Sequence, residues 1–322
     1  MNFLSRTALS LSLAFGPAAT PAFAADAPPQ KDRNDRSNVP IEVQPTDPSL
    51  AKIVLIPDNA KDHPAGEHEG FAGCALFMRM LQQTPGVAPV MVENGWPKNP
   101  ETLKNARAIV FYMDGGGKQT TLAHVEEIQK LADSGVGIIH VHQCIDYPSD
   151  SNKQVIGWLG GAFDTKSGGA RGHWDEAFDK FPEHPVTRGV EPFKLNDGWI
   201  LKSQFVEDLK GVTPIMRTTQ LSPKPKAPET IKGNENIVCW AYERPNGGRA
   251  FVLTGGHEHK NWALPGLRRL MINGILWSAK VEVPTTGAKV DLDPADLMTN
   301  LEKKPPKAPK PAAKPAELIK PK

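Results

Sequence analysis

The run KIVLIP, at residues 52–57, is short, rich in β-branched residues and almost continuously apolar. Such a run is typical of a β-strand that is buried on both faces, as in a parallel sheet covered by helices. Three later runs have the same character and lie at residues 88–93, 108–113 and 135–141. The central part of the chain therefore predicts a buried, parallel sheet.

Segments with helical periodicity lie between these runs. At residues 70–82 and 121–132, apolar side chains recur every three or four residues, as on one face of an α-helix. A weakly marked helix is predicted at residues 101–105 and a final one at 264–278. The alternation of strands and helices predicts an α/β fold with a doubly wound, mostly parallel sheet.

The region 155–250 is interrupted by glycines and prolines and predicts long loops with short strands, such as 237–242 and 249–254. In doubly wound folds, ligands gather at the carboxyl ends of the strands. We therefore expect the residues just after Ile56, Met113, Ile139 and Leu253 to meet at one rim.

Both ends of the chain differ in composition from the middle. Residues 1–24 combine Arg6, a weakly apolar stretch and small residues at 22–24, a pattern that indicates a signal peptide and a periplasmic or secreted protein. Residues 25–50 predict a disordered linker because they are polar and lack periodicity. The Lys/Pro-rich residues 283–322 predict a disordered tail, which leaves one domain at 51–282.

Charge and hydropathy exclude two classes of function. The 322 residues carry a formal net charge of +2, but residues 303–322 alone hold seven Lys and one Glu, so the remaining chain is slightly acidic. This composition argues against a nucleic-acid-binding surface. The tail is expected to be solvated, with weak contact to an anionic surface as an alternative. No transmembrane segment is predicted, because no apolar run of about 18 residues follows the N-terminal stretch.

Histidines cluster at three of the predicted strand ends. They are His63 and His68, then His140 and His142, and finally His257 and His259. Neutral imidazole is a common ligand of zinc, iron and manganese, and alternate residues of an extended segment share a face. Each histidine alone could be an ordinary loop or core residue. Their convergence at one rim would favour a divalent metal or another polar active site.

Other residues near the predicted rim leave further possibilities open. Asp114 could bind substrate hydroxyls or cap a turn, and the glycines that follow it match neither a phosphate loop nor a dinucleotide fingerprint, so no nucleotide is expected. Cys144 lies four residues after His140 and could be a nucleophile paired with histidine. Several tryptophans in or near loops could stack on sugar rings, although tryptophan more commonly packs in a core.

Characteristic stretches recur across residues 52–280. They are HPAGEHEGFAG (63–73), NGWP (94–97), MDGGG (113–117), GVGIIHVH (135–142), GGAF (160–163), HPVTRGVEPF (184–193), ERPNGGRAFVLTGGHEHKNW (243–262) and LRRLMINGILW (267–277). Taken together, these motifs resemble the ThuA-like family, named for trehalose utilisation. The resemblance implies a flavodoxin-like fold of the class I glutamine-amidotransferase type. It also implies a role in the catabolism of disaccharides through keto-sugars.

The same resemblance implies a polar site that includes His68, Glu69, His140 and His257. The turn that carries a nucleophilic cysteine in amidotransferases is expected to carry His140, which argues against glutaminase chemistry. Of the acidic pair that the family shows near residues 196–199, only Asp197 is present.

These observations lead to one specific hypothesis, that of an exported, metal-assisted lyase or hydrolase acting on a small carbohydrate. Its metal ligands would be His68, His140 and His257, and its proton-transfer groups Glu69 and His259; its substrate-binding residues would be Asp114, His142, Asp197 and Trp262. Two alternatives stay open at this stage. One is a non-catalytic sugar-binding module, and the other is a Cys144-dependent amidotransferase or hydrolase.

Overall fold

A computed structural model describes residues 32–59, 62–225 and 227–305. Its strands are β1 (Ala51–Pro57), β2 (Val87–Met91), β3 (Ala108–Tyr112), β4 (Gly137–Val141), β5 (Gly161–Ala162), β6 (Ala170–Phe178), β7 (Phe193–Leu201), β8 (Gln204–Phe205), β9 (Val212–Arg217), β10 (Ile237–Glu243) and β11 (Arg249–Leu253). Its α-helices are α1 (Gly70–Leu81), α2 (Val125–Asp133), α3 (Asn152–Leu159) and α4 (Pro265–Ser278).

The central sheet has seven strands in the order β2-β1-β3-β4-β11-β10-β9. The first five strands in this order are parallel, whereas β10 is antiparallel to both of its neighbours. Helices α1 and α4 pack on one face of the sheet, and α2 and α3 lie on the other. This arrangement confirms the prediction of a doubly wound, mostly parallel α/β fold.

Both faces of the sheet are buried, as the apolar strand sequences predicted. In β1, Ile53 and Leu55 contribute to the core under α1 and α4, whereas Val54 and Ile56 contribute to the core on the opposite face. All four side chains are fully excluded from solvent. A strand that is apolar on both faces forms a continuous apolar run because neither set of alternate side chains meets water.

Two parts of the middle of the chain differ from the sequence-based expectation. Residues 101–105 form turns rather than a helix. Strands β6 and β7 pair over nine residues each as a long antiparallel hairpin, where only loops and short strands were expected. Its signal was present in the alternation of buried Trp174, Glu176 and Phe178 with exposed neighbours, the period of two that a half-buried strand shows.

The ordered domain is also longer than the predicted range 51–282. The segment 32–50 has a defined place, with Val39 in the core and Ile41 bridged to Met91 at the edge of the sheet. At the other end, Val283, Val290 and Leu301 are buried. Apolar side chains spaced widely in polar sequence give no periodic signal, which explains why disorder was expected there. The predicted signal peptide and residues 306–322 lie outside the described residues.

A membrane-spanning helix was not expected from the sequence. Among the described residues, no helix has both the length and the apolar character needed to cross a bilayer.

Candidate metal centre

The carboxyl ends of the parallel strands meet at one edge of the sheet, as predicted. Because β3, β4 and β11 run in the same direction, Asp114, His142 and His257 all follow strand ends on that edge. The loop before α1 lies against them, since the backbone N–H of His68 donates to the carbonyl of His257 at 3.0 Å. Four distant parts of the chain therefore supply side chains to one place.

Three histidines form the centre of this place. His142 Nε2 lies 3.3 Å from His68 Nε2 and 3.3 Å from His257 Nδ1. One ring nitrogen of each histidine lies within 4.8 Å of the other two. We call His68, His142 and His257 the histidine triad.

The second ring nitrogen of each triad member has an acceptor beside it. His142 Nδ1 donates to the carbonyl of Thr254 at 2.8 Å, because a carbonyl can only accept. His68 Nδ1 lies 2.5 Å from a carboxylate oxygen of Asp114, and His257 Nε2 lies 3.2 Å from one of Glu67. These neighbours favour a proton on the outer nitrogen of each ring, so the three inner nitrogens present lone pairs to one another.

Burial keeps the triad neutral. It lowers the pKa of His68, of His142 and of His257, the last to about 3. Repulsion from neighbouring imidazoles acts in the same direction: from His63 on His68, and from His68 on both His142 and His257. Asp114 opposes it at His68, and Glu67 opposes it at His257. Neutral imidazole is the form that binds a metal ion.

The backbone at two triad residues is held in a conformation that L-amino acids rarely adopt. His68 has φ of +48° and His142 has φ of +57°. A non-glycine residue in the left-handed region costs about 1–3 kcal/mol and persists only where its surroundings enforce it. The left-handed residue at the end of β4 aims the His142 ring toward the other two rings.

The geometry of the triad fits a tetrahedral metal ion. Zinc binds histidine nitrogen at about 2.0–2.1 Å, so two nitrogens on one tetrahedral zinc are separated by about 3.3 Å. The two nitrogen–nitrogen distances measured from His142 equal that separation. Metal-binding histidines also commonly donate their other N–H to a carboxylate or a carbonyl, as the outer nitrogens here are placed to do.

A cavity of about 250 Å³ opens beside the triad. Residues of the hairpin β6–β7 line the cavity, together with His63 and Gln143. His63 stacks on the ring of His68 at 3.6 Å between centroids, and His173 of β6 meets His257 edge-on at 4.4 Å. The centre thus has a pocket for a small molecule with two further imidazoles on its walls.

Asp197, predicted to bind substrate, is instead an anchor for the loop that carries His257. It is fully buried, and its carboxylate accepts the backbone N–H groups of Gly198, Gly256 and His257 at 2.8–2.9 Å. Gly256 has φ of +102°, and a side chain there would crowd Val141, so the loop needs glycine at this position. Burial raises the pKa of Asp197 although the backbone donors oppose this.

The prediction that His140 lies beside His68 and His257 is wrong. His140 is within β4 and points to the opposite face of the sheet, where its ring packs against Phe111 and Tyr147. Burial lowers the pKa of His140 to about 3. The expectation failed because β4 ends at Val141, and the left-handed turn at the next residue breaks the alternation that would place residues 140 and 142 on one face.

The turn after β4 begins at His142, two residues after the predicted His140. It is a short 3₁₀ helix, His142–Ile145, and Cys144 is its third residue. Cys144 is fully buried and accepts a hydrogen bond from Gln119, and burial raises the pKa of its thiol well above the usual value. A buried, protonated thiol is a poor nucleophile.

His259, predicted to move protons, lies outside the triad. It is buried beneath the C-terminal segment and lines a different groove, together with Leu297 and Leu301. Burial lowers the pKa of His259 to about 4. The short 3₁₀ helix that starts at His259 turns its ring away from the direction of His257.

Glu69 and Trp262 also have structural positions rather than places in the cavity. Glu69 is fully buried, and its carboxylate accepts the backbone N–H of Gly66 at 2.9 Å and that of Glu302 at 2.7 Å. Trp262 is fully buried against Phe77. Glutamate does stand beside the triad, but it is Glu67, two residues before the predicted one.

Asp114, predicted to bind substrate, contacts two histidines instead. Its carboxylate lies 2.5 Å from His68 and 3.3 Å from His63. Burial acts against ionisation of Asp114, but these two histidines hold its pKa below the usual value. Glu67, His63 and His173 were not predicted as site residues; a signal for Glu67 and His63 was present in the motif HPAGEHE, whereas His173 depended on recognising the hairpin.

Two solved structures of ThuA-like proteins share this fold. A ThuA-like protein from Parabacteroides merdae is 14% identical, with a TM-score of 0.52, and the match covers 77% of this chain and 99% of that one. One from Bacteroides uniformis is 15% identical, with a TM-score of 0.51, covering 73% and 94%. A glutamine amidotransferase from Thermotoga maritima is 9% identical, with a TM-score of 0.37, covering 72% and 96%.

No curated protein sequence matches significantly. The family model described as trehalose utilisation matches residues 61–278, which include the whole histidine triad. The chain therefore belongs to the ThuA family.

Proposed function

We propose that this protein is a metal-dependent enzyme that acts on a small carbohydrate, with His68, His142 and His257 as the ligands of one divalent ion. The observation that carries the proposal is the convergence of three neutral imidazoles whose lone pairs face one another beside an open cavity. Zinc, manganese or iron(II) would suit nitrogen ligands of this kind. Export to the periplasm stays part of the proposal, on the evidence of the N-terminal sequence.

The number of protein ligands favours a catalytic over a structural role for the ion. Structural zinc sites have four protein ligands, whereas catalytic sites have three and leave a position for water or substrate. Here the triad supplies three, and the cavity lies on its open side. A metal bound there would supply Lewis acidity toward a carbonyl or hydroxyl oxygen of the substrate.

Two residues of this chain are placed to move protons at the cavity. His63 is partly exposed and contacts Asp114, which raises the pKa of His63 above its usual value despite partial burial. His173 reaches the cavity from the hairpin side. A general acid or base needs hydrogen-bond reach to the reacting group, and both side chains line the space where that group would bind.

The carbohydrate part of the proposal rests on the family, whose model is described as trehalose utilisation. Keto-sugars and disaccharides are the substrate classes that we propose, with elimination or hydrolysis as the reaction. A carbonyl on the sugar makes the adjacent C–H acidic, so one base and one Lewis acid would suffice for elimination.

A sugar-binding module without catalysis is the second candidate, and the tryptophans do not favour it. Trp158, Trp174 and Trp262 are each at most 5% exposed and pack in the core. Trp199 borders the cavity but is only 1% exposed, so it offers little surface to a sugar. The thiol mechanism is disfavoured by the burial of Cys144.

The proposal is tested by measuring metal content and turnover together. Protein purified without chelator is expected to hold about one divalent ion per chain and to convert a keto-disaccharide; both properties should disappear after chelation and return when the ion is restored. Metal binding without turnover of any keto-sugar tested would support the binding module instead. A protein that takes up no divalent ion would refute the proposed centre.

A further inference from the structure

We infer that Lys304 is a positioning residue that fixes the loop carrying Glu67 and His68, and that it is needed for tight metal binding by the triad. The inference rests on the proposed function for its metal readout. Lys304 lies in residues 300–305, which we call the C-terminal strap. The sequence alone predicts a solvated tail at this lysine.

The Lys304 ammonium group is fully buried and makes two hydrogen bonds and one ion pair. It donates to the backbone carbonyl of Glu67 at 2.5 Å and to that of His68 at 2.7 Å. Its third neighbour is a carboxylate oxygen of Glu302 at 3.2 Å, and the side chain of Lys304 has no exposed surface. An ammonium group has three N–H donors, and a buried charge is tolerated only when it is paired and hydrogen-bonded.

These contacts act on the part of the loop where the backbone is strained. His68 has φ of +48°, and the lysine holds the carbonyl of this residue and that of the residue before it. The backbone of Glu67 and that of His68 are therefore tied to one cation. Fixing their carbonyls fixes where the His68 ring and the Glu67 carboxylate stand.

The rest of the strap is fastened on both sides of Lys304. The carbonyl of Pro305 accepts the backbone N–H of Ala65 at 3.1 Å, and the N–H of Glu302 donates to Glu69 at 2.7 Å. Asn300 donates to the carbonyl of Asp35 at 2.7 Å. The strap is thus joined to the loop and to the N-terminal segment at several points, so it can hold the loop without moving itself.

A charge effect and a positioning effect of Lys304 would change metal affinity in opposite directions. A lysine near a divalent cation repels it, so removing the lysine charge would strengthen metal binding if charge were its only influence. Loss of positioning has the opposite effect, because changes outside the ligand set typically weaken metal binding by about 10–100-fold. The direction of the change therefore separates the two roles.

The test compares Lys304→Met with Lys303→Met in the full-length chain, using Co²⁺ as the probe. Lys303 is the exposed neighbour of Lys304 and serves as the matched control. We expect Co²⁺ to bind Lys304→Met about tenfold more weakly, with an altered visible absorption spectrum, and to bind Lys303→Met as it binds the wild type. Unchanged or tighter binding by Lys304→Met would overturn the inference.

A second measurement tests the positioning role if Lys304→Met folds poorly or if the wild type binds no Co²⁺. The double variant Glu302→Gln/Lys304→Met removes both buried charges and avoids an unpaired carboxylate. In the metal-free state we expect faster amide hydrogen exchange at Gly66 and His68 in this variant than in the wild type. Unchanged exchange in the variant would refute the positioning role. Faster exchange in the variant, together with no Co²⁺ binding by the wild type, would refute only the metal centre.

Discussion

His140 and His142 are two residues apart at the end of the same strand, yet their surroundings differ. His140 is inside β4 and packs against Phe111 and Tyr147 under the helices of one face. His142 follows the strand with φ of +57° and faces two other imidazoles on the opposite side. Both are buried, so burial alone does not distinguish a packed histidine from a candidate ligand.

The pair that follows β11 repeats this difference. His257 joins the triad and has Glu67 beside its outer nitrogen, whereas His259 lies in the groove beneath the C-terminal segment. In both pairs the triad member is the one with a ring nitrogen 3.3 Å from the nitrogen of another imidazole. A backbone group near a ring nitrogen does not separate the pairs, since Cys144 lies beside His140 and Leu297 beside His259. The facing imidazoles are therefore the feature that identifies a candidate ligand.

The largest expected effect comes from changing the two members of the first pair separately. His142→Asn keeps a residue that tolerates the left-handed backbone but removes an imidazole ligand. We expect its affinity for Zn²⁺ to fall by more than about a hundredfold, beyond the range typical of changes outside the ligand set. His140→Phe should bind Zn²⁺ as the wild type does, in a competition titration with a chromophoric chelator. Equal losses in both variants would abolish the distinction between the two histidines.

The next effect concerns the anchor of the His257 loop. Asp197→Ala would leave the buried N–H groups of Gly256 and His257 without their acceptor, so the free energy of unfolding should fall by about 2 kcal/mol or more. Denaturant unfolding of the metal-free protein measures this. Asn196→Ala is the control, because that side chain bonds to Asp175 in an exposed position. A stable Asp197→Ala variant would mean that the loop is held by other contacts.

A smaller effect is expected at the acceptor beside His68. Asp114→Asn removes the negative charge that favours a proton on His68 Nδ1, so Zn²⁺ affinity should fall by about tenfold. Asp175→Asn, on the exposed edge of the hairpin, provides a matched control. Zn²⁺ affinity unaffected by Asp114→Asn would show that the tautomer of His68 does not depend on this carboxylate.

The smallest effect is expected on the stability of the protein when His140, the packed member of the first pair, is replaced. The backbone of Cys144 lies beside the His140 ring, but within the part of the chain that the structure describes neither ring nitrogen has a hydrogen bond of good geometry. Replacing a buried polar group that lacks a partner with an apolar one of similar shape is nearly neutral or stabilising. The free energy of unfolding of His140→Phe should therefore lie within about 1 kcal/mol of the wild-type value. A loss of several kcal/mol would indicate a hydrogen-bonded role for His140.

The fold was predictable because its signals are local. The apolar runs of β1, β3 and β4 and the periodicity of α1 each lie within a short window. The rim followed from the parallel direction of these strands. The hairpin β6–β7 was missed although its alternation was present, since glycines and prolines in this region led to the expectation of loops.

The site was only partly predictable because it depends on single backbone angles and on distant contacts. His68 and His257 were placed at the rim from their motifs, but the choice between His140 and His142 depended on where β4 ends and on one left-handed residue. The roles of Asp197 and Glu69 depended on which backbone N–H groups face them in three dimensions. Lys304 had no local signal at all, since its three acceptors come from its own strap and from a loop more than 230 residues away.

X-ray absorption spectroscopy of the zinc-loaded protein tests the central claim most directly. The account predicts nitrogen neighbours at about 2.0–2.1 Å with the multiple scattering of three imidazoles. It also predicts that one imidazole is lost in His142→Asn and none in His140→Phe. A zinc environment without imidazole, or one that loses an imidazole in His140→Phe but not in His142→Asn, would contradict the account.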